Sequence, residues 1–286
     1  MKLASFIHAG QPRYGQVLAE RFLLPPAEFL ARHPDLLSVL RAQALGELEQ
    51  ALQAGAVSVD AAQTQALPVI PNPGKLICVG LNYKTHVAET RRADSEHPSL
   101  FLRFNDSLAA DGDELLRPAF SERFDWEGEL AFVIGRGGRH IAKEDAFDHI
   151  AGYACFNDVS VRDWQRHTHQ FTPGKNFPGT APFGPWLVTR DEVADVRSLA
   201  LQTRLNGSVV QQASLGDLIF DIPTIVAYVS RFTPLSPGDV IATGTPGGVG
   251  DRREPPLYMK HGDVVEVEIT GLGVLRNRVG TDSAAV

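Results

Sequence analysis

The acidic chemistry of this chain concentrates in the run Asp125-Trp126-Glu127-Gly128-Glu129-Leu130, followed further along by Asp158 at the end of a second apolar run. Side chains at i and i+2 of a strand share a face, so Glu127 and Glu129 would stand side by side above a sheet. Asp158 on a neighbouring strand would complete an all-oxygen pocket. Such a pocket repels itself unless a hard cation fills it, and Mg²⁺, Mn²⁺ and Ca²⁺ are the ions that prefer carboxylate and water ligands. The same spacing also serves a solvated surface, as in Val264-Val265-Glu266-Val267-Glu268-Ile269, where apolar and acidic residues alternate cleanly. Around Glu127 the pattern differs. Trp126, Leu130, Phe132 and Ile134 fill one face, while Ala131 and Val133 continue the carboxylate face with apolar residues. Both faces read as covered, so the charges need a partner: a metal or a buried ion pair, with an exposed edge as the remaining alternative.

Further residues could act beside such a pocket. His86 and Glu89 follow the apolar Ile77-Cys78-Val79-Gly80. If Thr85 caps a short helix, their spacing puts imidazole and carboxylate on one face, where the glutamate orients the ring and raises its basicity. That is a dyad able to activate water; a surface His/Glu pair is the alternative. Lys175 sits in Thr172-Pro173-Gly174-Lys175-Asn176-Phe177-Pro178-Gly179, a loop of conformationally special residues that can aim it at a ligand. Arg162 and Gln165 follow Asp158 at one and two helical turns, which aligns all three on one side of a short helix, unless the arginine simply pairs with Asp158 or Asp163. In Ala242-Thr243-Gly244-Thr245-Pro246-Gly247-Gly248-Val249-Gly250, bare N–H groups such as that of Gly244, and the Thr245 hydroxyl, could approach an anion, or the loop is a structural turn. His167 and His169 form an H-x-H with no cysteine pattern nearby to support a transition-metal site.

The chain that must position these groups has 286 residues, enough for one large domain plus a smaller one. A hydrophobic content of 43% and a charged content of 21% are those of a soluble globular enzyme. The net charge of −7, with no Lys/Arg cluster, argues against nucleic acid as a partner and leaves anionic small molecules to local arginines. No run has the length of a membrane span, and the start lacks the apolar core of a signal peptide. Cys78 and Cys155 lie inside apolar runs, so reduced, buried thiols in a cytoplasmic setting are expected.

Short strands are expected at residues 2–6, 14–18 and 21–24, then a helical pattern over 27–54 carried by Leu36, Leu37, Leu40, Leu45, Leu48 and Leu52. This makes 1–70 a small α/β domain, ending in the Pro-rich linker 68–73. The remainder, 71–286, reads as a β-rich domain with strands at 76–79, 100–104, 129–134, 152–156, 186–189, 200–205, 240–242, 264–269 and 273–278. Helices are expected at 143–149 and, started by Pro223, at 222–231. The polar stretch 86–96 reads as a lid. G-x-G-x-x-G, Walker A and G-x-S-x-G patterns are absent, which removes the commonest nucleotide and serine-hydrolase readings.

Five collinear stretches resemble the fumarylacetoacetate hydrolase family: Gly80-Leu81-Asn82-Tyr83-Lys84-Thr85-His86 within 77–89, the acidic run within 125–135, Asn157-Asp158-Val159-Ser160-Val161-Arg162-Asp163-Trp164-Gln165, Phe183-Gly184-Pro185-Trp186, and Gly244-Thr245-Pro246-Gly247 within 237–250. The resemblance spans residues 73–277. It implies an α+β, β-rich fold: a mixed β-sandwich roll as catalytic domain beside the small N-terminal α/β domain, assembled as a homodimer. It also implies one divalent cation per chain, Mg²⁺ or Mn²⁺, on Glu127, Glu129 and Asp158, with His86 and Glu89 as a mobile dyad and Lys175 as the active-site lysine. Arg162, Gln165, Gly244, Thr245 and Arg103 fall where members contact substrate or support the metal shell. Two positions depart from the pattern. Leu81 stands where many short acylpyruvase-like members carry arginine, and Arg103 where members often show lysine, so a carboxylate contact is absent or supplied elsewhere.

The implied activity is hydrolysis of a carbon–carbon bond in a 2,4-diketo acid of the acylpyruvate or fumarylacetoacetate type. His86, oriented by Glu89, takes a proton from water that attacks C4; the C3–C4 bond breaks, and an enolate stabilised by the cation and Lys175 leaves as a 2-oxo acid beside a carboxylic acid. The same scaffold serves an isomerase, tautomerase or decarboxylase acting on a 2-oxo diacid through the same enolate. A non-catalytic metal-dependent binding protein is the reading from a different class.

Overall fold

Apolar runs covered on both faces form the centre of the molecule. The computed structural model describes residues 1–90 and 95–282; positions 91–94, within the expected lid, and 283–286 lie outside the described residues. The strand Gly128–Ile134 is buried at every position and pairs antiparallel with Ile150–Asn157 on one side and Val240–Ala242 on the other. The large sheet around it runs, side by side, Val57–Asp60, Arg21–Leu24, Gln11–Leu18, Lys2–His8, Ala181–Thr189, Ile150–Asn157, Gly128–Ile134, Val240–Ala242, Leu76–Gly80 and Ser99–Arg103. A second sheet orders Ser208–Ser214, Ala200–Leu205, Val264–Ile269, Gly273–Asp282 and Glu114–Pro118.

Period-2 alternation in the central strand separates two cores. Leu130, Phe132 and Ile134 pack with Val267 and Ile269 of the second sheet and with Ile225, Val226 and Val229 of the helix Ile222–Phe232. Ala131 and Val133 share a cluster with Leu36, Leu40, Leu48 and Leu52 of the N-terminal helices. Each such fully buried Leu, Ile or Val contributes about 1.5–3 kcal/mol. The N-terminal residues join the sheet directly: Lys2–His8 pairs with Ala181–Thr189, so hydrogen bonding is continuous across the expected boundary near residue 70. Among the described residues no helix is long and apolar enough to cross a membrane. Cys78 and Cys155 are buried free thiols, as expected.

The helical pattern at 27–54 resolves into three helices, Ala27–Arg32, Leu36–Arg41 and Leu45–Gly55. Pro34 separates the first two, Asp35 opens the second through a reciprocal capping box with Ser38, and Gln43, at φ 54°, breaks the chain before the third. The helix expected at 143–149 is a correction: backbone bonds there close from Asp145 to Ala142 and from Ala146 to Lys143, and only the 3₁₀ turn Ala146–His149 forms. Two strands escaped notice at the edges of the second sheet, Glu114–Pro118 and Ser208–Ser214. The latter had a readable signal, because Asn206-Gly207, both at positive φ, forms the tight hairpin turn before it.

Candidate active site

Glu127 precedes the strand Gly128–Ile134 rather than belonging to it, so the expected i, i+2 pair straddles a strand end. Its backbone holds the register. The Glu127 N–H donates to Asn157 Oδ1 at 3.0 Å, and its carbonyl accepts from the Asp158 N–H at 2.8 Å. This extends a ladder in which Gly128 faces Asn157 and Glu129 faces Phe156, and it carries Asp158 across to the two glutamates. Carboxylate oxygens of Glu127, Glu129 and Asp158 lie within 4.8 Å of one another, and all three residues are buried. A Cβ at the intervening Gly128 would stand 2.1 Å from Thr203 Oγ1, so the second sheet reaches the site only because that position lacks a side chain.

Cations surround this cluster unevenly. Lys175, itself buried, donates to Glu127 Oε2 at 2.9 Å, to Asp158 Oδ2 at 2.7 Å and to the Asp158 carbonyl at 3.0 Å. Arg162 reaches Glu127 Oε1 at 2.6 Å and Asp125 Oδ2 at 2.8 Å, and donates to Gln165 Oε1 at 3.0 Å. Arg103 reaches Asp158 Oδ1 at 2.5 Å. Glu129 accepts the Gly244 N–H at 2.8 Å, and among the described residues no lysine or arginine pairs with it. Four buried carboxylates, counting Asp125, thus face three cations and keep one negative charge in surplus. Burial alone would raise the Glu127 carboxyl, but Lys175, then Arg162 and His86, outweigh it and hold it well below the usual carboxylate range. Glu129 goes the other way, pushed well up by burial and then by Asp158 and Glu127. An all-oxygen, buried donor set with surplus negative charge, one member of which has no cationic partner, fits a divalent cation of the Mg²⁺, Mn²⁺ or Ca²⁺ kind.

The cluster opens into a cavity of about 280 Å³ that His86, Arg162, Gln165, Lys175 and Thr245 also line. His86 Nδ1 lies 2.7 Å from Glu89 Oε1 on the helix Lys84–Thr90, as the spacing anticipated. Thr85 is not the cap of that helix; it lies inside it, and its hydroxyl accepts the Gly247 N–H at 3.1 Å. The glycine-rich loop does bring N–H groups to anions, but to the protein's own. Gly244 serves Glu129, Gly248 serves Glu89 Oε2 at 2.8 Å, and Gly250 serves Asp125 Oδ1 at 2.8 Å.

Several expectations change with this geometry. Arg103 was expected among the substrate contacts, yet its three nitrogens meet Asp158, the Val159 carbonyl and Thr180, and it does not line the cavity. The Gly244 N–H is taken by Glu129, so Gly244 acts on a carboxylate of the triad. The Thr245 hydroxyl donates to the Gly128 carbonyl at 3.0 Å and accepts from Gln211 at 2.8 Å, so it braces the loop against the strand. Arg162 pairs with neither Asp158 nor Asp163; the two-residue strand Ser160–Val161 separates Asp158 from the helix Arg162–Gln165, and helical spacing does not carry across it. The ring of His167 packs on Trp164, and neither His167 nor His169 joins a potential metal-holding group among the described residues. Glu266 and Glu268 lie on the solvated face, paired with Arg204, as their alternation indicated.

Three contributors were not foreseen. Asp125 gathers Arg162 and the N–H groups of Trp126, Gly250 and Asp251. Its signal was present, an acid inside a run buried on both faces. Gln211 accepts from the Gly128 N–H and donates to Thr245 and the Pro246 carbonyl, and Asn82 ties Thr243 to Phe220. Gln211 sits in an unremarkable polar position that no spacing rule distinguishes, whereas Asn82 lies in the Gly80-Leu81-Asn82-Tyr83 stretch, where the resemblance marked the position without giving it a role.

Residues 75–280 match the family described as Fumarylacetoacetate (FAA) hydrolase C-terminal. Oxaloacetate tautomerase FAHD2A, mitochondrial, of Homo sapiens is 41% identical over 254 residues, covering 88% of this chain and 78% of that protein. The structure of fumarylacetoacetate hydrolase from psychrophilic Exiguobacterium antarcticum superposes with a TM-score of 0.87 at 35% identity, covering 99% of this chain and 100% of the other. Maleylpyruvate hydrolase from Sphingobium sp. SYK-6, in complex with manganese (II) ion and pyruvate, gives 0.81 at 30% identity over 99% and 100%. With the family match extending over most of its length and the acidic cluster at its centre, the chain belongs to the fumarylacetoacetate hydrolase family.

Proposed function

We propose that this chain is a divalent-metal-dependent enzyme that interconverts the keto and enol forms of a 2-oxo diacid of the oxaloacetate type. One observation carries the reading: a histidine with a fixed carboxylate partner lines the same cavity as Glu127 and Glu129 of a carboxylate triad suited to a hard cation. Keto–enol exchange needs a base for the proton on C3 and positive charge beside the C2 oxygen. Mg²⁺ or Mn²⁺ held by Glu127, Glu129 and Asp158 supplies polarisation of that carbonyl. The Glu89 carboxylate accepts, so His86 carries its proton on Nδ1 and presents the Nε2 lone pair as the base. Nε2 takes the proton from C3 while the C–H electron pair moves toward the C2 oxygen, and the His86 imidazolium then returns that proton to the oxygen, which gives the enol and restores the neutral ring. The buried Lys175 ammonium donates toward the negative charge developing on that oxygen, and Arg162 and Gln165 orient the substrate. The human and Xenopus laevis relatives, each 41% identical, carry the name oxaloacetate tautomerase.

Carbon–carbon hydrolysis of a 2,4-diketo acid is the second reading. It is favoured by the hydrolase names of the two solved relatives over 99% of the chain, and in it His86 takes its proton from water, which attacks C4 so that the C3–C4 bond breaks. The deciding experiment gives Mg²⁺-loaded protein freshly dissolved enol oxaloacetate and, separately, a panel of acylpyruvates. Accelerated loss of the enol absorbance without release of carbon dioxide or pyruvate supports the tautomerase. Cleavage of an acylpyruvate with no effect on the enol replaces it with the hydrolase. Turnover of neither, with metal-dependent oxalate binding, would leave a binding protein. A homodimer and a cytoplasmic location complete the proposal; analytical ultracentrifugation of the full chain tests the first.

A further inference from the structure

Two arginines at the mouth of the cavity share one carboxylate. Arg166 Nη2 pairs with Asp251 Oδ2, and Arg252 Nε lies 3.3 Å from the same oxygen, while Tyr258 donates to the other oxygen at 2.9 Å. Arg166, Asp251 and Arg252 line the cavity that Glu127 and Glu129 also line. The Asp251 side chain is 4% exposed, whereas those of Arg166 and Arg252 are 42% and 35% exposed, so the guanidinium groups stand at the solvent side of a buried acid. Among the described residues neither arginine has a second carboxylate partner. The balance is thus inverted along the cavity: surplus negative charge at the triad, and surplus positive charge at the mouth. The two ends are tied together by Asp125, which accepts both the Asp251 N–H at 3.0 Å and Arg162 Nε at 2.8 Å.

We infer that Arg166 and Arg252 bind the distal carboxylate of the substrate and select 2-oxo diacids over 2-oxo monoacids. The inference rests on the reading of the triad as the site of a 2-oxo acid. A guanidinium fork matches a carboxylate with two parallel N–H donors, and a carboxylate at the mouth would give each arginine the share of negative charge that Asp251 alone does not supply. Half exposure weakens each contact relative to a buried pair, so together they confer about a tenfold preference for the dianion.

Isothermal titration of the full-length, Mg²⁺-loaded protein tests this with probes matched in carbon number: 2-oxobutanedioate against 2-oxobutanoate, and 2-oxopentanedioate against 2-oxopentanoate. Each pair differs only in a terminal carboxylate or methyl group. The proteins are wild type, Arg166→Gln, Arg252→Gln and the double variant, which keep the polar stems, with melting temperatures recorded as a control for folding. The expected result is that wild type prefers the diacid of at least one pair about tenfold and that the double variant loses this preference while binding the monoacid as before. Equal binding of diacid and monoacid by wild type, or a double variant that weakens both alike, overturns the inference and leaves the 2-oxo acid reading standing. Failure of every probe to bind in a Mg²⁺-dependent way overturns both.

Discussion

Replacing Glu129 by glutamine should make the metal-free protein more stable and the metal-binding protein useless. At 4.8 Å and an effective dielectric constant of about 20, one carboxylate pair repels by roughly 3.5 kcal/mol, and Glu129 faces two such partners in Asp158 and Glu127. Lys175, Arg162 and Arg103 offset most of this, leaving one uncompensated charge among four carboxylates, so the net gain from neutralising Glu129 is about 1–3 kcal/mol. Glutamine keeps an oxygen for the Gly244 N–H, so the hydrogen bond at 2.8 Å survives. For a chain of this size each kcal/mol corresponds to about 2–4 °C in melting temperature. Thermal melts with EDTA, at a pH high enough to ionise the raised Glu129 carboxyl of wild type, should therefore place Glu129→Gln several degrees above wild type. Adding Mg²⁺ at a hundredfold its Kd should raise wild type by about 2.7 kcal/mol and leave the variant unmoved. A variant that melts below EDTA-treated wild type would refute the surplus-charge argument, and one that still gains from Mg²⁺ would refute the assignment of Glu129 as a ligand.

The raised carboxyl of Glu129 also sets a pH dependence. Between its ordinary value of 4.5 and its raised value, the folded metal-free protein holds a proton that the unfolded chain has released, so stability there falls as pH rises. Mg²⁺ must displace that proton, so its affinity should rise with pH across the same window; titrations in buffers of different ionisation enthalpy should detect the released proton, and an affinity flat with pH above 4.5 would contradict the scheme. His86→Gln should lower kcat by about 10²–10⁴ while Mg²⁺ affinity stays at the wild-type value; equal loss of both would make His86 a support of the metal site rather than the base. Gly244→Ala places a Cβ 2.7 Å from the Val79 carbonyl oxygen at a φ of +101°, which should destabilise by more than about 2 kcal/mol in urea unfolding. The same change shifts the N–H that holds Glu129, so Mg²⁺ affinity should fall with it. Wild-type values for both would show that the loop is free to adjust.

Much of the scaffold was legible from local pattern. Alternation marked the central strand as covered on both faces and marked Glu266 and Glu268 as solvated, and turn residues located most strand ends. Where local pattern misled, geometry shows why. A three- or four-residue period continues through Pro34 as a string of letters, although a helix cannot, and the period linking Asp158 to Arg162 has no meaning across an intervening strand. The His86–Glu89 pair was readable because both groups lie on one turn of one helix.

Residue types and spacing alone determined that the carboxylates lie in runs whose two faces read as covered, where a charge needs a partner, and that a histidine has an acidic neighbour three residues on. Only the tertiary structure decided which cation neutralises which carboxylate. Arg103 goes to Asp158, Lys175 bridges Glu127 and Asp158, and Glu129 is left with a backbone N–H from a loop far along the chain. Burial on a strand is encoded every second residue, whereas charge pairing depends on distances between segments remote in sequence, which sheet order and loop closure alone set.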